Sequence, residues 1–353
     1  MPILMAFLTS FFAVVFLIPQ VIQLARKKHL FDKPDEKRKI HVKPIPNLGG
    51  IAIFTGFLFS ALLYVPDSLL SEVRILLAAG VIIFMVGLKD DLMGLSARVK
   101  LVAQVVASGL VSILTDLRVK EIYCFGGSMY FEYSTSIFLT VVFITGLVNA
   151  YNLIDGIDGL AGSLGILFSI TYGVFFYNMG ATDWAILASS LVGVLVGFLI
   201  FNITPAKIFM GDSGSLLLGF MAAIFSLKFL GLRPVNKPSA IYIPLGLAFP
   251  IVISVVIVPV FDTIRVFTIR ILNGKSPFQA DRNHLHHLLL DTGLAPIRAS
   301  MMLTGINFLF IVIAATFGSQ DSAVLVPLLF LIPILLTGLL NVCSYMMKKK
   351  VTC

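Results

Sequence analysis

The sequence predicts an all-α, polytopic integral membrane protein of about eleven transmembrane helices, with its N-terminus outside and its C-terminus cytoplasmic. Three observations carry that expectation. Hydrophobic residues make up 58% of the 353 positions and charged ones only 12%, with a mean hydropathy of +1.00, which leaves too little polar surface to cover a soluble globule. The apolar residues form continuous runs long enough to cross a hydrocarbon core, roughly 20 residues for about 30 Å, and not the alternating segments of a membrane barrel. Basic residues gather in short segments between alternate runs, as a fixed orientation requires.

The runs lie near residues 2–25, 46–65, 73–89, 99–116, 134–150, 158–177, 184–203, 209–230, 240–266, 298–318 and 323–347. No charged segment and no small-residue cleavage site precedes Arg26, so the first run reads as a retained anchor and not a signal peptide. The second run opens on PNLGG, residues 46–50, whose glycines are expected to let the chain turn tightly into the span. The segment RKKHLFDKPDEKRKIHVKP after the first run holds eight of the 26 Lys and Arg, and KKK at 348–350 closes the last. Placing both in the cytoplasm leaves only Arg74, Arg118, Lys120, Lys228, Arg233 and Lys237 outside, so 20 of the 26 lie inside. An odd number of spans fits that arrangement.

The formal charge of +8 resides in these juxtamembrane segments, which argues for topology and for contacts with anionic lipid or phosphate, not for nucleic acid. Cys124, Cys343 and Cys353 form no CxxC pair, and Cys124 and Cys353 fall on opposite sides, so neither a disulfide framework nor a zinc site is expected. With no linker and no repeat, residues 1–353 read as a single membrane domain.

Four polar clusters interrupt the runs. GLKDDLMGLSARVKL (87–101) joins spans three and four, NAYNLIDGIDGLAG (149–162) joins five and six, KIFMGDSGSLLLG (207–219) opens span eight, and DRNHLHHLLLDTG (281–293) lies between nine and ten. All four fall on the cytoplasmic side, as parts of one site would. An acid at the centre of an isolated membrane helix costs about 2.5–3.5 kcal/mol, so Asp90, Asp91, Asp155, Asp158 and Asp212 facing lipid would cost on the order of 15 kcal/mol together. That rivals the whole stability of a fold, about 5–15 kcal/mol. The acids are therefore expected in a hydrated cleft or around cations. Oxygen donors without thiols suit Mg²⁺, with Mn²⁺ as a substitute.

Each cluster also has a bland reading. Asp90 and Asp91 could be loop acids offset by Lys89, Asp212 or Ser213 could merely cap a helix, and His284, His286 and His287 could be solvated. The last three are three of the five histidines in the chain. A secondary transporter would also tolerate buried acids, but nearer the midplane, in repeated halves.

In this order and on these loops, KDD, NAYNLIDGIDGLAG, FMGDSGS and DRNHLHH resemble the polyprenyl-phosphate N-acetylhexosamine-1-phosphate transferase superfamily, glycosyltransferase family 4. The nearest branch is the bacterial undecaprenyl-phosphate N-acetylglucosamine-1-phosphate transferase (WecA type). The likeness runs from FDKPDEKRKIHVKPIPNLGG to the histidine loop. It implies a multi-pass enzyme of the bacterial inner (plasma) membrane that transfers N-acetylglucosamine 1-phosphate from a UDP-N-acetylhexosamine to a polyprenyl phosphate lipid, in the first step of cell-envelope polysaccharide synthesis. Phospho-N-acetylmuramoyl-pentapeptide transferase is the alternative, although its histidine loop usually reads as three consecutive histidines. A homodimer is allowed for.

The resemblance also implies roles. Asp90 and Asp91 match the paired acids, and Lys100 a diphosphate-contacting lysine, as the catalytic set. Asp212 and Asn152 match metal ligands. Asn149, Asp155, Asp158, Arg282, His284, His286 and His287 match positions for the nucleotide sugar or its diphosphate. Lys33, Arg38, His41 and Lys43 could meet the lipid phosphate, although topology alone would explain them.

Overall fold

The computed structural model describes residues 1–30, 45–66, 69–124, 127–232, 245–276, 283–317 and 322–351. They form helices α1 (Pro2–Lys28), α2 (Gly49–Tyr64), α3 (Leu70–Met93), α4 (Ala97–Leu114), α5 (Tyr133–Ile154), α6 (Leu160–Asn178), α7 (Thr182–Asn202), α8 (Gly211–Gly231), α9 (Leu245–Leu272), α10 (Leu285–Asp291), α11 (Pro296–Phe317) and α12 (Ser322–Val351). Among the described residues nine helices are long and apolar enough to cross a membrane, and two shorter apolar helices lie at Gly49–Tyr64 and Val324–Gly338. Phe12, Phe16, Phe138 and Leu331 stand exposed on the outside of the bundle, which suits helices whose surroundings are lipid. The chain is a multi-pass membrane protein, as its composition predicts.

Two features depart from the expected all-helical outline. Glu121–Cys124 and Gly127–Tyr130 pair as an antiparallel hairpin, β1 and β2, between α4 and α5. With strands of four residues it is too short to leave a clear alternation. The histidine segment, expected as a loop, contains the seven-residue helix α10.

Helix α8 is the axis of the bundle. It is apolar on every face, with an unbroken buried stretch from Ser213 to Leu227, as a helix enclosed by others must be. It packs on α3 and α5 and also meets α2, α6 and α9. Around that axis α1 lies against α2 and α7, while α11 and α12 pack on α9.

One end of α6, α7 and α8 is tied by an aromatic cluster in which Tyr172, Phe176, Trp184 and Phe225 meet, with the Tyr172 hydroxyl 2.7 Å from Ser226 Oγ. The opposite end of α8 is tied by backbone. Gly49 N and Gly50 N donate to Phe209 O (3.0 Å) and Met210 O (2.9 Å), and Phe209 N donates to Pro46 O (2.9 Å).

This contact corrects the reading of PNLGG. Neither Gly49 nor Gly50 has a positive φ, so conformational freedom is not what the position needs. A Cβ on Gly50 would stand 2.3 Å from both Gly214 N and Ser213 Oγ, and one on Gly87 of α3 would stand 2.6 Å from Ser213 Cα. The glycines let two neighbouring helices approach the backbone of α8 directly.

Candidate active site

The site grows from the first turn of α8. A helix begins with backbone N–H groups that have no partner within the helix, and here a side chain from another helix satisfies them. Asp91, in the last turn of α3, accepts from Asp212 N at 2.7 Å through one oxygen. Through the other it accepts from Ser213 N at 3.0 Å and Ser213 Oγ at 2.6 Å. Gly211 makes room for this, with a φ of +72° and a Cβ position only 2.7 Å from each Asp91 oxygen. The expected alternative, a cap from Asp212 or Ser213, is replaced by a cap from α3, and the Asp212 side chain is left for other work.

That side chain meets three helices. Asn152 Nδ2, from the end of α5, donates to Asp212 Oδ1 at 2.9 Å and to Ser215 Oγ at 3.0 Å. Lys100 Nζ, from the start of α4, stands 2.8 Å from Asp212 Oδ2 and 3.1 Å from Asp90 Oδ2. The second Asp90 oxygen accepts from Leu95 N at 2.5 Å, which closes the turn between α3 and α4. Lys100 thus acts as a cation shared by two carboxylates. Asp90, Asp91 and Asn152 lie in terminal helical turns and Asn149 within α5, not in the connecting loops.

Asn149 sits one turn deeper and faces α4. Its Nδ2 donates to Gln104 Oε1 at 2.6 Å and to Thr145 O at 2.8 Å. This pair ties α4 to α5 one turn below Asn152, and these hydrogen bonds of Asn149 go to Gln104 and Thr145 rather than to Asp212.

The loop from α5 to α6 supplies Asp155 and Asp158, which point to different neighbours. Asp155 follows the last residue of α5, and burial pushes its carboxyl up to about 7, assisted by the negative charges of Asp212, Asp91 and Asp158. Asp158 is buried and accepts from Thr204 Oγ1 at 2.9 Å, while its backbone oxygen accepts from Ser300 Oγ at 2.7 Å. Asp158 therefore fastens the loop to the α7–α8 connection and to α11.

The histidine segment lies over this loop. A Cβ on Gly156 would stand 2.2 Å from His286 Nε2, so the ring rests on bare backbone. The rings of His284 and His286 stack at 5.6 Å and those of His286 and His287 lie 4.3 Å apart. His284 and His286 are buried and His287 is half-buried. Burial, with His287 and His284 beside it, drives the His286 pKa down to about 3. The reading of three solvated histidines does not hold for this chain.

Of the expected residues, the fold joins Asp90, Asp91, Lys100, Asn152 and Asp212 in one bonded cluster. Asp155 borders it, and Asp158 and the histidines lie across the same loop. Lys33, Arg38, His41, Lys43 and Arg282 lie outside the described residues. Sequence reading passed over Gln104 and, on α9, Asp262, Arg265 and Arg270. Asp262 falls within the span expected at 240–266, so the cost argument applied to the other acids would have singled it out.

The fold and the site define a polytopic membrane protein whose acids, amides and lysine converge at one end of its helices. Comparison with known proteins specifies the class. The profile described as glycosyl transferase family 4 matches residues 73–230. A Bacillus subtilis (strain 168) protein named "Probable undecaprenyl-phosphate N-acetylglucosaminyl 1-phosphate transferase" is 36% identical over 349 residues, covering 96% of this chain and 93% of the relative. The "Decaprenyl-phosphate N-acetylglucosaminephosphotransferase" of Mycolicibacterium smegmatis (strain ATCC 700084 / mc(2)155) is 33% identical, over 76% of this chain and 70% of its own. The "Undecaprenyl-phosphate alpha-N-acetylglucosaminyl 1-phosphate transferase" of Escherichia coli (strain K12) is 28% identical, over 80% and 75%. This chain belongs to glycosyl transferase family 4, among the polyprenyl-phosphate N-acetylhexosamine-1-phosphate transferases.

The His286 environment generates a pH prediction. The unfolded chain takes up a proton near the ordinary value of 6.5, which the folded chain refuses until about 3. The stability linked to this group is therefore fully present above pH 6.5 and withdrawn as pH falls from 6.5 toward 3. Thermal unfolding in detergent should show a steeper loss of Tm across that window in wild type than in His286→Phe. Parallel curves would contradict the buried, neutral assignment.

Proposed function

We propose that this chain transfers N-acetylglucosamine 1-phosphate from UDP-N-acetylglucosamine to undecaprenyl phosphate, releasing UMP and leaving an undecaprenyl diphosphate-linked sugar for cell-envelope polysaccharide synthesis. The observation that carries this reading is 36% identity across 96% of the chain to a relative bearing that transferase's name. The relatives cited above are named as N-acetylglucosamine transferases, so a muramoyl-peptide donor is not favoured.

In the proposed reaction an oxygen of the lipid phosphate attacks the sugar-linked phosphorus of the donor. A new P–O bond forms to the lipid phosphate, the bond to UMP breaks, and UMP leaves with the electron pair. A phosphate monoester is already largely ionised near neutral pH, so the chain's main task is to bring two anions together. Lys100, already suspended between Asp90 and Asp212, is the nearest cation for the diphosphate. Asp91, with both oxygens on the α8 backbone, holds Asp212 in place. This leaves Asp90 as the acid of the pair that stays beside Lys100.

The residues also fit Mg²⁺. Among the described residues no group of three or more His, Cys, Asp or Glu could hold a metal, but Mg²⁺ commonly takes only one or two carboxylates and completes its shell with water and substrate phosphate. Asp212 and Asn152 would hold it, with Asp90 adjacent, and the ammonium of Lys100 between two of these carboxylates is a built-in stand-in for a cation. Bound there, Mg²⁺ or Mn²⁺ would neutralise the donor diphosphate and polarise the bond that breaks. Asp155 and His287 continue the polar surface proposed for the nucleotide sugar, and the resemblance assigns Arg282 to the same substrate.

We place this end of the bundle in the cytoplasm of a bacterial inner membrane, where the nucleotide sugar is made. The basic-residue bias and eleven crossings by α1–α9, α11 and α12 then put the N-terminus outside and the C-terminus inside.

Purified protein given undecaprenyl phosphate and UDP-N-acetylglucosamine should release UMP only with Mg²⁺ or Mn²⁺. Asp212→Ala should lose at least 100-fold in kcat while remaining folded, as loss of a metal ligand commonly costs at least the 10–100-fold of an outer-shell partner. Full turnover in excess chelator would rule out the metal. Robust transfer from UDP-muramoyl-pentapeptide with none from UDP-N-acetylglucosamine would overturn the donor.

Orientation has its own test. With Cys343 and Cys353 replaced by Ser, Cys124 should react with a membrane-impermeant thiol reagent in spheroplasts. Reaction only after lysis would invert the topology.

A further inference from the structure

We infer that Asp262 of α9 is a positioning residue for the histidine segment, fixing His284 as the tautomer with its proton on Nδ1. The tautomer follows from geometry alone, and only its effect on turnover rests on the proposed reaction.

Asp262 is 1% exposed and both of its oxygens are committed. Oδ2 lies 2.8 Å from His284 Nδ1, and Oδ1 accepts from Leu285 N at 2.9 Å and from Arg265 Nη2 at 3.4 Å. Arg265 Nη2 also donates to Asn283 O. The pair Asp262 and Arg265, one helical turn apart, therefore grips three consecutive residues, Asn283, His284 and Leu285. A buried carboxylate in a membrane helix is costly unless matched by a cation and hydrogen bonds; here Arg265 of the same helix is the cation, and the histidine segment supplies the two shorter hydrogen bonds.

Each ring nitrogen of His284 has a different neighbour, and the two agree on where the proton is. A carboxylate only accepts, so Nδ1 must carry hydrogen. On the other side Arg270 Nη2, which only donates, lies 3.5 Å from Nε2, so Nε2 must offer a lone pair. His284 is 6% and Arg270 3% exposed. His284 is thus an interior strut between Asp262 and Arg270. The rings stacked on it carry the placement outward, His286 onto Gly156 beside Asp155 and then His287. In this account Asp262 sets where the stack sits relative to the acidic loop, without touching substrate.

The test uses full-length protein with its five histidines selectively labelled with ¹⁵N, the His284 signals being assigned by their loss in His284→Gln. Wild type should show the Nδ1–H tautomer at His284. Asp262→Asn keeps the size of the side chain and can still accept from Leu285 N, but it turns an NH₂ group toward Nδ1. The proton should then move to Nε2, where it points at Arg270. UMP release should fall about tenfold or more in kcat, the range typical of lost outer-shell partners, with a smaller change in KM for UDP-N-acetylglucosamine.

An Nε2–H tautomer in wild type would overturn the inference, and that spectrum needs no variant to fold. Retention of the wild-type tautomer in Asp262→Asn, or a tautomer switch with unchanged turnover, would overturn it equally. Wild type that releases no UMP from any UDP-sugar would count against the proposed reaction, while the tautomer would still be read without substrate.

Discussion

The bond between Asp91 and the start of α8 is the constraint on which the rest of the site depends. Helix α8 runs through the bundle's centre, and its far end is tied by Ser226 to Tyr172 and by Lys228 to Glu72, which leaves its first turn to be fixed. What fixes it is the carboxylate from α3, which takes two backbone N–H groups and one hydroxyl, against a floor of glycines that lets α2 and α3 reach the backbone. A negative charge here also meets the positive end of the helix dipole. Once α8 is set, the Asp212 carboxylate can face only the ends of α3, α4 and α5, where Asp90, Lys100 and Asn152 wait. Position, more than the acidity of any one group, is what the fold supplies.

A second assembly uses the same device, again with one carboxylate. α9 sends Asp262 and Arg265 to the short histidine segment much as α3 sends Asp91 to α8. In both, a carboxylate buried in a membrane helix holds the start of a neighbouring helix and thereby aims a side chain that is itself polar. The two assemblies meet over the loop 155–159, where His286 lies on Gly156 and Asp158 is fastened to Thr204. The Asp212 cluster and the histidine stack thus meet at that loop, while α9 also packs on α5 and α8.

Much of this was legible in the sequence and some was not. The spans were legible because a hydrocarbon solvent demands long apolar runs, and the shared face of the four clusters followed from alternation. The expense of acids among such runs pointed to Asp90, Asp91, Asp155, Asp158 and Asp212 together. Division of labour among them was not legible. Asp90 and Asp91 are adjacent and chemically identical, but on a helix they point about 100° apart, one to Lys100 and one to α8. Gly49 and Gly50 announced a turn when their work is close approach, because the neighbour they admit is 160 residues away in the chain. The histidines were legible as a polar cluster but their anchoring was not, because their partner on α9 is hidden inside an apolar run, and hairpin β1–β2 is too short to show a period.

The most direct test of the account is thermal unfolding of Asp91→Asn in detergent with a chelator present, where metal binding and turnover play no part. If Asp91 is the clamp on α8, the variant loses a charge-assisted set of hydrogen bonds worth about 1.5–3 kcal/mol each at most, and its Tm should fall by several degrees below wild type. An acid kept only for chemistry sits at a cost in stability among like charges, so its removal leaves Tm unchanged or raises it. That second result for Asp91→Asn would contradict the account.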